Sequence, residues 1–174
     1  MSIRCYIPTT LIALRGGLGP VHAVAPDAQG RELGGDELEA REFDALRIAA
    51  ALAATQSFEA AAATTREPAP ASESMAGTES ASGFDTISPR AVIAYDAPDS
   101  SAGEELAEGF DLLTLPEVDM AAVASIHLDE VEIWEEAADI AAGRGHEAAE
   151  DHLGDSDLLW YDATELPELL RERG

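Results

Sequence analysis

From Thr64 to Ser88 the chain is built of Thr, Pro, Glu, Ser, Ala and Gly with almost no aliphatic side chain. Nothing in such a stretch offsets the entropy of ordering a backbone, so it reads as a disordered linker or insert. A fold has to be assembled from what lies on either side of it. At 174 residues the natural arrangement is one domain whose two parts are 1–63 and an acidic 89–174.

Short period-two runs recur in both parts. Ile3, Cys5 and Ile7 alternate with Arg4 and Tyr6, a strand that Pro8 is expected to stop, with Cys5 an inert core thiol on its apolar face. Thr9 is placed to cap a short helix carrying Leu11, Ile12 and Leu14, and Val21–Ala25 forms a second strand. Asp36-Glu37-Leu38-Glu39 resembles a capping box opening a helix of about 25 residues, with Leu38, Ala45, Ile48 and Leu52 on one stripe and Phe43, Leu46, Ala49 and Ala53 beside it. Beyond the insert, Ala91–Tyr95 is a compact buried strand and 109–113 another. From Ala122 to Leu128, residues Ala122, Ala124, Ile126 and Leu128 share one face, and Val123, Ser125 and His127 the other. An acidic helix with Val131, Trp134, Ala138 and Ala141 follows, then a second helical piece from His146 to Leu153. Residues 157–162 are the last strand, after which Thr164 caps a terminal helix with Pro167 in its first turn. Strands and helices alternate without long hairpin runs. The expected class is α+β, a small mixed sheet with helices packed on it.

Charge narrows the chemistry. There are 35 Asp and Glu against 10 Arg, no Lys and a net charge of −25, of which residues 88–174 carry −19. Without lysine there is no P-loop, no kinase-type phosphate lysine and no Schiff-base enzyme. Ten dispersed arginines make no basic face for phosphates, so nucleic acid is not an expected ligand. The opening residues show no apolar core or small-residue cleavage site, so no signal sequence is expected; no run of 18 apolar residues spans a bilayer, and one cysteine makes no internal disulfide. The expected setting is cytoplasmic, away from membranes. Abundant Ala with Arg as the only strong cation fits a host genome rich in G and C, and a halophilic host would also favour acidity.

The opening R-x-Y-I-P-T-T-L, the strand S-I-H-L-D-E at 125–130 and the ending L-L-W-Y-D-A-T-E-L-P-E-L-L at 158–170 carry a resemblance. Together they resemble an uncharacterised family of small actinobacterial proteins, a domain of unknown function. The resemblance covers 2–62 and 90–170 and implies an actinobacterial cytoplasmic protein. It implies no reaction, ligand or catalytic residue.

Four kinds of site remain to be weighed. His146-Glu147-Ala148-Ala149-Glu150 falls one residue short of a zinc-protease motif, since Glu150 stands where a second histidine belongs. With His152, and with His127, Asp129 and Glu130 from the preceding strand end, it could furnish imidazole and carboxylate ligands. Among 35 acids such a set arises by chance, so the bland alternative is a solvated helix face, and neither metal nor cofactor is expected. Ser125 and His127 lie two apart on one face without a nucleophile elbow, and Gly16-Gly17-Leu18-Gly19 follows a helical segment rather than a strand. Trp160 and Tyr161 point to opposite faces of the last strand, and one of them is left exposed if helices cover a single face. These two are the interface candidates. The reading that results is a non-enzymatic protein acting through macromolecular binding, to an unknown protein partner or to a second copy of itself. The alternatives are a small metal-dependent hydrolase using those His, Asp and Glu residues, and an acidic nucleic-acid mimic.

Overall fold

The computed structural model describes residues 2–66 and 88–173. Most of the expected insert, 67–87, lies outside the described residues. Its first three residues belong instead to the end of a helix. The strands are β1 (Ser2–Thr10), β2 (Val21–Pro26), β3 (Arg90–Pro98), β4 (Ala102–Ala107), β5 (Phe110–Leu115), β6 (Val123–Leu128) and β7 (Leu159–Asp162). The helices are α1 (Ala28–Glu32), α2 (Gly35–Arg66), α3 (Val131–Arg144), α4 (His146–Gly154) and α5 (Leu166–Arg173). One sheet holds all seven strands in the order β4-β5-β2-β1-β3-β6-β7.

The α+β class is as expected, but the sheet is antiparallel in all its pairings rather than mixed. The reason lies in β1. Helix α2 is a crossover between β2 and β3, which run parallel to each other, yet β1 is inserted between them and runs against both. Three residues link β3 to β4, although three strands lie between them in the sheet. Four strand spacings are ~19 Å, whereas four Cα steps reach only ~14 Å. The sheet must curl. Tyr95 of β3 and Leu115 of β5 line one shallow cavity with Ala102, so the curl closes toward the side that carries Ile3, Cys5, Ile7, Ile93, Leu113 and Ile126.

That concave side is roofed by Leu11 and Leu14 at the start of the chain, by Val118 and Ala122 from the β5–β6 crossing, and by Leu166 and Leu169 near α5. Cys5 is fully buried here, and burial pushes its thiol up to about 12, so it is the inert core group expected. The convex side takes α2, whose buried positions Ala45, Ala49 and Ala53 repeat every four residues against Tyr6, Val24, Val92 and Ala94. A stripe of methyl groups lets the helix lie close on the sheet. The expected partner stripe does not hold throughout, since Phe43 is 52% exposed. At 32 residues α2 is ~48 Å long and overhangs strands of nine residues. Its overhang carries Ala54 and Phe58 into a separate cluster with Trp134, Ala137, Ala149 and Leu153 of α3 and α4. Phe58 stacks on Trp134 with ring centroids 5.6 Å apart.

Several local expectations are corrected. Pro8 does not stop β1, which continues to Thr10 with Pro8 opposite Val92. The β1–β2 ladder is confined to Tyr6 and Val24, so the missing proline N–H is needed by no neighbour. Thr10, not Thr9, accepts the Ala13 N–H that opens a 3₁₀ turn over Ala13–Gly16. At the other end Asp162, not Thr164, is the cap, and it forms a capping box with Glu165. In β6 a bulge opposite Ala94 and Tyr95 leaves Ala124 unpaired. It turns Val123 to the concave side with Ile126 and Leu128, instead of opposite them.

Candidate functional site

The strongest polar feature pairs Asp129, a candidate metal ligand in the sequence, with an arginine that the sequence did not single out. Arg90, at the start of β3, and Asp129, just after β6, are 2% and 0% exposed. Arg90 Nε donates to Asp129 Oδ2 at 2.7 Å and Nη2 to Oδ1 at 2.8 Å, a two-pronged pair. The remaining donors reach the carbonyls of Ala50 in α2 at 3.2 Å and Leu153 in α4 at 3.0 Å. Ser156 adds its hydroxyl to Asp129 Oδ1 at 3.3 Å. One guanidinium thus ties α2, β3, the β6–α3 junction and the end of α4 together. Removing two charges from water is costly, and here the cost is offset by filling nearly every donor and acceptor. A lone arginine after a proline gave no hint of this, because its partners come from 39 to 66 residues away.

The pair also fixes where the last strand lies. Ser156 leads directly into β7, which pairs with β6 from Ser125↔Asp162 to Leu128↔Leu159 and has no strand on its other side among the described residues. Both sequence-named aromatics sit there. Tyr161 turns to the concave side and packs, half-buried, on that core. Trp160 turns to the convex side opposite His127, beyond the cover of α2, and is 61% exposed. The amide of Asp162 donates to Glu165 Oε2 at 2.7 Å and so faces away from β6. Antiparallel strands alternate their bonding direction residue by residue, which turns the N–H and C=O of Trp160 outward as well. An aromatic side chain and an open backbone pair therefore share one position.

The opposite edge is different. All of β4 is exposed, it carries Glu104 and Glu105 at its centre, and its pairing with β5 shifts between Glu105 and Ala107. Charge and a bulge are what discourage strand addition.

Behind Trp160, Ser125 and His127, two apart on one strand face as expected, share a hydrogen bond of 3.0 Å. Burial pushes His127 down to about 4, so the ring is neutral. Both side chains are buried under the sheet's cover, and neither lines the groove between α2 and the 150–158 segment. That groove, about 1150 Å³, takes in Arg47 and the hidden edge of Arg90, with Glu150, Asp151, Asp155 and Asp157 at its rim.

The metal candidates are placed apart. Asp129 is held by Arg90, and Glu130 precedes α3 with no side-chain cap. His146 stacks on Phe58 with centroids 5.5 Å apart, and His152 Nε2 lies 3.2 Å from Glu136 Oε2 in a contact without hydrogen-bond alignment. Glu150 is at the groove rim. Among the described residues no three His, Cys, Asp or Glu side chains gather as a metal-binding group. Nor, among those residues, is any helix long and apolar enough to cross a membrane.

The fold and this edge define the class: a small α+β protein of one curled antiparallel sheet, with one edge shielded and the other open. The sequence matches the model of a family of unknown function, DUF6912, over residues 3–170, and the chain belongs to that family. No curated protein and no solved structure matches it.

Proposed function

We propose that this is a non-enzymatic cytoplasmic protein that works by binding another protein at the outer edge of β7. The observation that carries the reading is Trp160, 61% exposed on the open edge strand, where exposure of a large aromatic is otherwise unfavourable. Aromatic anchors of this kind dominate protein interfaces, and an open strand edge supplies backbone bonds that are indifferent to sequence. The contrast between the two edges supports it, since β4 is shielded by Glu104 and Glu105 whereas the exposed residues of β7 are Leu159, Trp160 and Asp162.

The test is site-specific photocrosslinking. A benzophenone amino acid replaces Trp160 in the full chain, and a second protein carries it at exposed Phe43 on α2. Irradiation in the native lysate is expected to give a discrete protein adduct from position 160 and none from position 43. No adduct at 160, or the same adducts from both positions, would contradict the reading.

A further inference from the structure

We propose that the outer edge of β7 receives a lysine- or arginine-bearing extended segment of its partner as an eighth strand. The inference rests on the reading of that edge as the binding site and adds the chemistry of the occupant. Three observations point the same way.

The first is the length of the open edge. The capping box uses the Asp162 amide internally, which leaves the N–H and C=O of Trp160 as the outward pair within the strand. An added strand can exchange two backbone bonds there, too few to hold a segment unaided. Side chains must supply the rest. The second observation is the charge around that position. Residues 155–168 contain Asp155, Asp157, Asp162, Glu165 and Glu168, all exposed, and no basic residue of any kind. At ~3.3 Å per residue, Asp157 and Asp162 flank Trp160 by ~10 Å and ~7 Å along the chain, within reach of long cationic side chains on alternate residues of a docked strand. The indole face itself attracts an ammonium or guanidinium.

The third observation concerns the competing occupant, a second copy of this chain. A two-fold axis normal to the sheet would set Trp160 against its own copy and bring both sets of these carboxylates together, on chains of net charge −25 each. A cationic segment gains from the field that a second copy would have to overcome.

The experiment uses the full chain and three acetylated peptides of alternating sequence, followed by tryptophan emission and calorimetry. One alternates Val with Lys, one alternates Val with Glu, and the third is the Lys peptide N-methylated on every second residue so that one edge cannot pair. The Lys peptide is expected to bind and to shift Trp160 emission. N-methylation of the pairing edge, or Trp160→Ala, is expected to weaken binding at least about tenfold. Raising salt from about 0.05 to 0.5 M is expected to weaken it several-fold. Equal binding of the Glu peptide would overturn the cationic occupant while leaving the edge as a binding site. Lys-peptide affinity indifferent to N-methylation and to Trp160→Ala would overturn strand addition. A chain that dimerises through position 160, as a self-adduct in the crosslinking experiment would reveal, replaces the proposed occupant with a second copy. No binding of any peptide, together with a silent crosslinker at 160, sinks the underlying reading too.

Discussion

Arg90 shows how a single side chain can hold a fold in register. Its three nitrogens make five hydrogen bonds, to a carboxylate, two helix carbonyls and a hydroxyl. Replacing it alone should leave Asp129 buried and uncompensated, so Arg90→Met is expected to destabilise by about 3–5 kcal/mol, read from urea denaturation. The double replacement Arg90→Met with Asp129→Leu should recover more than half of that loss; a double variant as weak as the single one would show that the pair itself is not what matters. His127 makes a different prediction. Its ordinary value of 6.5 is lowered to about 4 by burial, so between those limits the unfolded chain binds a proton that the folded chain refuses. Stability from this group is intact above pH 6.5 and falls as pH drops toward 4, by roughly 3 kcal/mol in all. His127→Gln removes that slope, so urea midpoints of the two proteins should converge or cross with acidification. A constant gap would contradict it.

At the scale of elements, α2 lies close to the sheet because its inward positions are alanines. Ala49→Leu places three extra carbons where there is no room and is expected to cost about 1–3 kcal/mol in urea denaturation; an unchanged midpoint would mean the helix stands off the sheet. The strands that were legible in the sequence are those whose burial leaves an apolar pattern. Ile3, Cys5 and Ile7 alternate with Arg4 and Tyr6 in β1, whereas residues 91–95 of β3 read as an unbroken apolar run because both faces of that strand are covered. Strand β4 was illegible for the converse reason: Ala-Gly-Glu-Glu-Leu-Ala is exposed at every residue, so burial imposes no period on it. The bulge at Ala124 could not be read either, since it depends on how β6 registers against β3. The longer helices were legible from apolar spacing, whereas α1, Ala-Gln-Gly-Arg-Glu, has no apolar stripe to show it; caps slipped by one or two residues because Thr9, Thr10, Asp162 and Thr164 are all competent acceptors. Of the candidate site, Trp160 was named from alternation alone, but which aromatic of the pair is exposed follows only from where α2 stops. Arg90 and Asp129 were invisible as partners.

For the molecule as a whole, the dominant quantity is the charge of −25, of which residues 88–174 carry −19. Self-repulsion of that size opposes compaction and is screened by salt, so the melting temperature should rise as salt increases from about 0.02 to 0.5 M. A fall would mean that attractive pairs such as Arg4–Asp96, at 2.7 Å, outweigh the net field. Under the proposed reading, the same field favours a cationic segment over nucleic acid or a second copy. It acts around an edge whose geometry is set elsewhere: Arg90 anchors the loop before β7, β6 supplies its inner ladder, and the capping box ends it at Asp162. The most direct measurement is therefore amide hydrogen exchange of the full chain with and without the alternating Val–Lys peptide. The Trp160 amide, turned outward and unbonded in the free protein, should gain protection on binding while α2 stays unchanged. Protection confined to α2 and the 150–158 groove, with the Trp160 amide unaffected, would contradict an edge-binding protein.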